Sequence, residues 1–168
     1  ADVRREGNLD EWVHLQNELD FNLAGHFLHS VFWRNIAPPR GDVPKPSQDL
    51  VRHIEEAFGS FDDMREQFWV AGRSINGCGW IGLVWDYTKG ELAVRHIHER
   101  DGASATDPVP VLVMDMWEHA YFLQHHAERE GWLRDFWGMI NWWDVSHNFD
   151  LVKMYRPAVA IDPELLHE

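Results

Sequence analysis

The first part of the chain carries apolar side chains at helical spacing. Between about Leu9 and Asn35 an apolar or aromatic residue recurs every three or four positions, as on one face of an amphipathic helix. His26 and His29 lie one turn apart on a neighbouring stripe, on roughly the same side of that helix. Pro38 and Pro39 then interrupt the pattern. We therefore predict a single long helix followed by a loop.

Two shorter helices and a β-hairpin are predicted in the middle of the chain. Ser47 to Phe58 and Ser60 to about Ser74 are both amphipathic, and each begins at a serine that can cap a helix. Gly59 is the residue expected to end the first of them. Residues 80–85 and 91–98 have the composition of two strands joined across a short turn.

The last third of the chain begins with an apolar run from Val109 that ends at Asp115. β-Branched residues with little alternation suit a strand buried on both faces, so this run is predicted as a third strand. Helical patterning returns at residues 118–128 and again at residues 131–149.

This order of elements predicts an α+β protein. A helical N-terminal layer, formed by the long helix, precedes an α/β domain with a three-stranded antiparallel sheet flanked by helices. We place the helical layer in residues 1–46, the α/β domain in residues 47–156 and a tail in residues 157–168.

Composition and charge exclude several classes of protein. With 168 residues, 45% of them hydrophobic, the chain can bury a core, and its single cysteine, Cys78, allows no internal disulfide. The formal charge of -13 argues against nucleic-acid binding, because phosphate contacts need clustered Lys and Arg. No apolar stretch approaches the roughly 20 residues that span a bilayer, and the first residues lack the apolar core of a signal peptide. We expect a soluble protein of the cytoplasm or the mitochondrial matrix, with no nucleic-acid or membrane partner.

The third predicted strand ends in a carboxylate and an imidazole, Asp115 and His119, four residues apart. Such a pair can share one metal ion, since these donors together suit iron, manganese or zinc. On its own, however, the pair indicates a solvated Asp and a His at a helix start more often than a metal site.

Several motifs, taken in chain order, resemble the iron/manganese superoxide dismutase family. They are Asn22-x-x-Gly25-His26-x-x-His29-Ser30, Phe58-Gly59-Ser60-Phe61-Asp62, Gly77-x-Gly79-Trp80, Asp115-x-Trp117-Glu118-His119-Ala120-Tyr121 and Asn141-Trp142. The match runs over nearly the whole chain, and the stretch from Asp115 to Tyr121 alone suggests the family. The resemblance implies one manganese or iron ion per chain, at a site that disproportionates superoxide to oxygen and hydrogen peroxide.

The resemblance implies four protein ligands, of which this chain supplies three. In that family three His and one Asp hold the metal, and the matching positions here are His29, Asp115 and His119. The family's first His lies on a helix, paired as a hairpin with the long helix, that has no counterpart in this sequence. His14 is a poor replacement, because it lies about 22 Å from His29 along the same helix. We expect one of three explanations: the helix was removed, an upstream segment or separate chain supplies it, or three protein ligands suffice.

The resemblance also identifies candidate catalytic residues around the metal. Trp117, with Trp33 and Trp80, is expected in an apolar shell that lowers the local dielectric constant. His26 is expected to be a structural or gateway histidine rather than a ligand. Asn76 is expected to act through the metal-bound solvent.

Asn76 is also the departure from the family that bears most on the chemistry. Manganese-type members place a Gln there, whereas iron-type members place that Gln at the position of Gly25, so the layout here is of manganese type. The Asn side chain is one methylene shorter, which lengthens the reach to the solvent by about 1.5 Å. Phe122 stands where the family has a Tyr that links two active sites. These changes predict altered proton transfer around the metal.

The resemblance implies a homodimer formed through Glu118 and His119, with Arg129 as the charge partner of Glu118. Two other functions stay open at this point. An open coordination position suits a metalloenzyme of the same fold that acts on an organic substrate. Alternatively, the many tryptophans suit a non-catalytic relative that serves as a subunit of a larger assembly.

Overall fold

The computed structural model of the chain describes residues 8–38, 45–98 and 108–155. Within these ranges, helices pack around a three-stranded sheet. The helices are α1 (Leu9–Asn35), α2 (Gln48–Phe58), α3 (Phe61–Ser74), α4 (Glu118–His125), α5 (Arg129–Phe136) and α6 (Trp142–Met154). The strands are β1 (Trp80–Asp86), β2 (Glu91–Ile97) and β3 (Val109–Asp115). The predicted α+β class and the long first helix are therefore confirmed.

The two short helices begin and end where the sequence predicts. The Ser47 hydroxyl accepts a hydrogen bond from the Leu50 N–H at 3.2 Å, and the Ser60 hydroxyl accepts one from the Asp63 N–H at 3.0 Å. Each serine thus satisfies an N–H group that the first turn of its helix leaves without a helical partner. Gly59 ends α2 with a φ of 92°, a left-handed conformation that costs glycine little.

The sheet has the order β2-β1-β3, and both neighbouring pairs are antiparallel. β1 lies in the centre and pairs Trp80 with Asp115 at the end of β3. β3 is an edge strand, and residues 111–115 are buried, as predicted for a strand covered on both faces. Its cover comes from α1 and α6, which pack against it.

The predicted helix over residues 131–149 is wrong in its middle. α5 ends at Phe136, and α6 begins only at Trp142. The intervening segment instead pairs with the end of α1: the Ala37 N–H donates to the Met139 carbonyl at 2.7 Å, and the Asn141 N–H donates to the Asn35 carbonyl at 2.7 Å. Apolar periodicity continues through this segment, so the sequence pattern did not reveal the break.

Two further expectations concern the ends of elements. The helix predicted over residues 118–128 is shorter, because His126 adopts a positive φ of 50° and ends α4. The predicted tail, residues 157–168, lies outside the described residues. Among the helices described, none is long and apolar enough to cross a membrane.

Candidate metal centre

Three elements bring an imidazole, a carboxylate and a second imidazole to one point. α1 carries His29, β3 ends at Asp115, and α4 begins three residues later and carries His119. The His119 Nε2 atom lies 3.0 Å from Asp115 Oδ2, and the His29 Nε2 atom lies 3.6 Å from the same oxygen. One potential ligand atom from each residue lies within 4.8 Å of the other two. The sequence predicted this set, and the structure brings its three members together.

The distances from Asp115 Oδ2 to the two imidazoles fit a first-row transition metal. With metal–ligand bonds of about 2.1 Å, two ligand atoms lie about 3.0 Å apart at an angle of 90° and about 3.6 Å apart at 120°. The two distances from Asp115 Oδ2 agree with these values. Two imidazoles and one carboxylate suit iron, manganese or zinc, so the donors present fit the ion that the family resemblance implies. Their role as ligands stays a prediction.

Asp115 is the buried charge of the cluster, with a relative exposure of 1%. Burial raises the pKa of its carboxyl, while the Trp117 N–H and the imidazoles of His119 and His29 act in the opposite direction. The Trp117 N–H donates to Oδ1 at 2.9 Å, so Oδ2 is the oxygen that faces both histidines. Buried carboxylates are commonly paired with a cation or bound to a metal, and a cation at this position would offset the burial of Asp115.

Aromatic rings form part of the wall of the site. Trp80 is fully buried and meets His29 edge to face, with ring centroids 4.8 Å apart. Trp117 stacks on His119 with centroids 5.9 Å apart. Trp33 differs from the expectation: it is 65% exposed, and its ring contact in the described part of the chain is with Phe32.

The remaining sequence-predicted residues lie outside this cluster of contacts. His26 is exposed on α1, and its main-chain carbonyl accepts a hydrogen bond from Ser30. Asn76 is exposed in the turn between α3 and β1. Among residues 8–38, 45–98 and 108–155, no hydrogen bond joins the side chain of either residue to the three candidate ligands. Their catalytic roles stay predictions.

Arg129 fixes the turn that carries Asn76. Its guanidinium donates to the Tyr121 hydroxyl at 3.2 Å and to the main-chain carbonyls of Ile75 and Gly77 at 2.8 and 2.6 Å. These two carbonyls flank Asn76, so Arg129 ties the turn to α4 from both sides. All three acceptors are neutral. The predicted pairing of this arginine with a glutamate involves a second chain and stays a prediction.

Trp132 is a contributor that sequence reasoning missed. Its indole N–H donates to the main-chain carbonyl of Asp115 at 2.8 Å, and its ring stacks on Tyr121, two residues beyond His119. It therefore supports both the strand end and the helix that carry candidate ligands. Its position in an apolar pattern gave a burial signal but no sign of this hydrogen bond.

Comparison with known proteins places the whole arrangement in context. The family model of the C-terminal domain of iron/manganese superoxide dismutases matches residues 46–148. A Mn/Fe superoxide dismutase of Propionibacterium freudenreichii subsp. shermanii is 37% identical over 149 residues, which are 89% of this chain and 74% of that protein. An Fe superoxide dismutase of Mycobacterium tuberculosis is 38% identical over 134 residues, 80% of this chain and 64% of that protein.

Relatives named for different metals match about equally well. A Mn superoxide dismutase of Mycobacterium kansasii is 39% identical over 129 residues, 77% of this chain and 78% of that protein. Overall similarity therefore does not separate manganese from iron. The chain spans less than two thirds of the length of the Mycobacterium tuberculosis relative.

Proposed function

The chain belongs to the iron/manganese superoxide dismutase family, and from this premise we propose that it is a superoxide dismutase-like metalloprotein. It disproportionates superoxide to oxygen and hydrogen peroxide at a mononuclear site for manganese or iron. The observation that carries this proposal is the convergence of His29, Asp115 and His119 from three separate elements, within 4.8 Å of one another.

A manganese or iron ion held by these residues would supply the one-electron redox couple that dismutation requires. Asp115 is the anionic ligand, and its negative charge compensates that of a cation bound in a buried position. His29 and His119 bind as neutral imidazoles, so loading the site displaces any protons held on their ligand nitrogens. These three residues fill three coordination positions and leave the others to a further ligand or to solvent.

The surroundings of the site control access of water and protons. Trp80 and Trp117 cover two sides with indole rings, which limits the water that can reach the buried carboxylate. Asn76 is the amide proposed to act on solvent at the site, with a reach that its short side chain lengthens, and Arg129 holds the turn on both sides of it. His26 is the proposed gateway residue on the exposed side of α1.

We also propose that the protein acts as a homodimer through α4. The His119 side chain is 58% exposed, although its Nε2 atom contacts buried Asp115. Phe122 and Leu123 on the same helix are 49% and 85% exposed, respectively, and Glu118 is exposed beside them. A second copy would cover these apolar side chains, since one isologous contact uses the same patch on both subunits.

Metal analysis followed by a superoxide assay tests the proposed function. We expect about one equivalent of manganese or iron per chain, and loss of superoxide in proportion to that metal content. Metal without superoxide consumption would favour a different substrate, and a folded protein that binds neither metal would favour the assembly subunit. Because relatives are longer, both assays are repeated on the chain extended by the N-terminal residues of the Propionibacterium relative.

A further inference from the structure

Asn35 at the end of α1 makes contacts that resemble those of a strand. Its side chain is fully buried. The amide Nδ2 donates to the Val111 carbonyl at 3.3 Å, and Oδ1 accepts from the Val113 N–H at 3.0 Å. One carboxamide thus provides the donor and the acceptor that the peptide group of a neighbouring strand would offer to β3.

β3 needs such a partner because it is an edge strand buried among helices. Its outward-facing backbone groups belong to residues 111, 113 and 115, and buried groups of this kind must be hydrogen-bonded. Asn148 also donates to the Val111 carbonyl at 3.3 Å, and Trp132 donates to the Asp115 carbonyl. Of these three side chains, only Asn35 belongs to α1. In the described part of the chain, its two hydrogen bonds are therefore the side-chain hydrogen bonds that join α1 to the edge of β3.

Asp144 fixes the orientation of this amide. Its Oδ2 accepts from Asn35 Nδ2 at 2.9 Å, and its Oδ1 accepts from Arg34 Nε at 3.1 Å. Because a carboxylate accepts and does not donate, the NH2 group must lie on its side, and Oδ1 must face the Val113 N–H. Asp144 is 2% exposed, so the arrangement is held inside the protein.

The contact sets the position of α1 along β3. From Asn35 back to His29 is six residues of helix, or about 9 Å at 1.5 Å per residue. From Leu112, the residue between the two bonded peptide groups, forward to Asp115 is three residues of strand, or about 10 Å. α1 and β3 run in opposite directions, and these two lengths are nearly equal. Holding Asn35 beside Leu112 therefore places His29 beside Asp115.

We propose that Asn35 is a positioning residue of the metal site, which aligns the ligand carried by α1 with the ligand at the end of β3. The inference rests on the metal site proposed above. Asn35 contacts neither the substrate nor the ion. It acts by setting the position of α1, and with it His29, along β3.

Removal of the amide tests this role. Asn35→Leu removes both hydrogen bonds to β3 and keeps a side chain of similar size. Asn35→Ser removes them with a smaller side chain. Two controls accompany them. Asn148→Ala removes the hydrogen bonds from Asn148 to the same Val111 carbonyl and to Asp144 Oδ2, and Ile54→Ala destabilises a buried position on α2, which packs against α3 and β2. Each protein is loaded with manganese or iron, and metal affinity is measured by competition with a chelator.

We expect about 10- to 100-fold weaker metal binding in both Asn35 variants, the range typical when support of a ligand is lost. The electron paramagnetic resonance or visible spectrum of the bound metal should change with it. Both controls should keep the wild-type affinity and spectrum, even where the melting temperature of the metal-free protein falls. Wild-type affinity and spectrum in a folded Asn35 variant, or equal losses in Ile54→Ala, would overturn the inference. Failure of the wild-type protein itself to bind metal would instead refute the proposed function.

Discussion

The Nδ1 atom of His29 lies 2.7 Å from the main-chain carbonyl oxygen of Gly25 and donates its proton to it. A carbonyl oxygen can only accept, so Nδ1 carries the proton and the lone pair of the neutral ring lies on Nε2. Nε2 is the atom that faces Asp115 at 3.6 Å. A single turn of α1 therefore sets the tautomer that a metal ligand requires.

The first prediction is that Asp115→Ala removes the metal. The site would lose its anionic ligand and the charge that compensates the cation, and His119 would lose its contact with Asp115 Oδ2. We expect less than about a tenth of the wild-type metal content, because outer-shell changes alone already cost 10- to 100-fold in affinity. Metal content is measured by elemental analysis of purified protein. Asp62→Ala, on an exposed side chain of α3, is the matched control, and wild-type metal content in Asp115→Ala would refute the ligand assignment.

The second prediction is that Glu118→Ala weakens the proposed dimer. In an isologous interface each Glu118 meets His119 of the partner subunit, so one substitution breaks two contacts. Truncating one member of a buried charged hydrogen bond costs about 2 to 5 kcal/mol. We expect monomeric or metal-poor protein by light scattering and elemental analysis. Glu66→Ala on α3 serves as the control, and an unchanged dimer with full metal occupancy would contradict the prediction.

The sequence predicted the parts of the structure that local patterns determine. Local signals of this kind are the serine caps at Ser47 and Ser60, the glycine after α2 and the apolar stripe of α1. Each depends only on residues that are close together in the sequence. Family motifs then identified the three side chains that meet at the end of β3. Both kinds of signal are present in short stretches of sequence.

Contacts between distant segments were not predictable in this way. The break between α5 and α6 results from pairing of residues 139–141 with the end of α1, which lies about a hundred positions earlier. Asn35 and Trp132 form hydrogen bonds with backbone groups of β3. Every residue type has these backbone groups, so the sequence does not indicate which of them a side chain will bind. Trp33 was predicted from its place in a motif, yet its exposure depends on which surfaces cover α1.

The third prediction concerns stability in acid. Asp49 accepts hydrogen bonds from Lys153 and Arg52, each at 2.6 Å, and these partners lower its pKa from 3.8 to about 2. A carboxyl whose pKa is lower in the folded state stabilises the protein above pH 3.8, and this contribution disappears as the pH falls through about 2. Asp49→Asn should therefore lower the melting temperature at pH 5 to 7.

The size of this effect is limited by solvent, because the Asp49 side chain is 41% exposed. The difference in melting temperature between wild type and Asp49→Asn should shrink below pH 4 and be mostly lost near pH 2. Thermal denaturation at a series of pH values measures it. Asp150→Asn, an exposed change on the same helix as Lys153, should show no such convergence. A difference that stays constant down to pH 2 would show that the ion pairs of Asp49 do not cause it.

The last prediction is that Asn76→Gln raises superoxide turnover in protein that holds its metal. If Asn76 takes the place of the family's Gln with a side chain one methylene shorter, the Gln side chain returns the amide donor to about 3 Å from solvent bound at the site. The turn itself should not move, because Arg129 holds the carbonyls of Ile75 and Gly77 on either side. Turnover and its pH profile are measured at matched metal content, in the chain extended by the N-terminal residues of a relative.

Asn17→Gln, the same change at an exposed position of α1, is the control and should leave turnover unchanged. If the shorter amide instead makes room for another substrate, Asn76→Gln fills that room and dismutation stays negligible. Equal superoxide turnover in the wild type and in Asn76→Gln, both fully loaded with metal, would show that the length of this side chain does not control the chemistry. The pH profile adds an independent test, since a restored hydrogen bond to the solvent should shift the pKa that governs turnover.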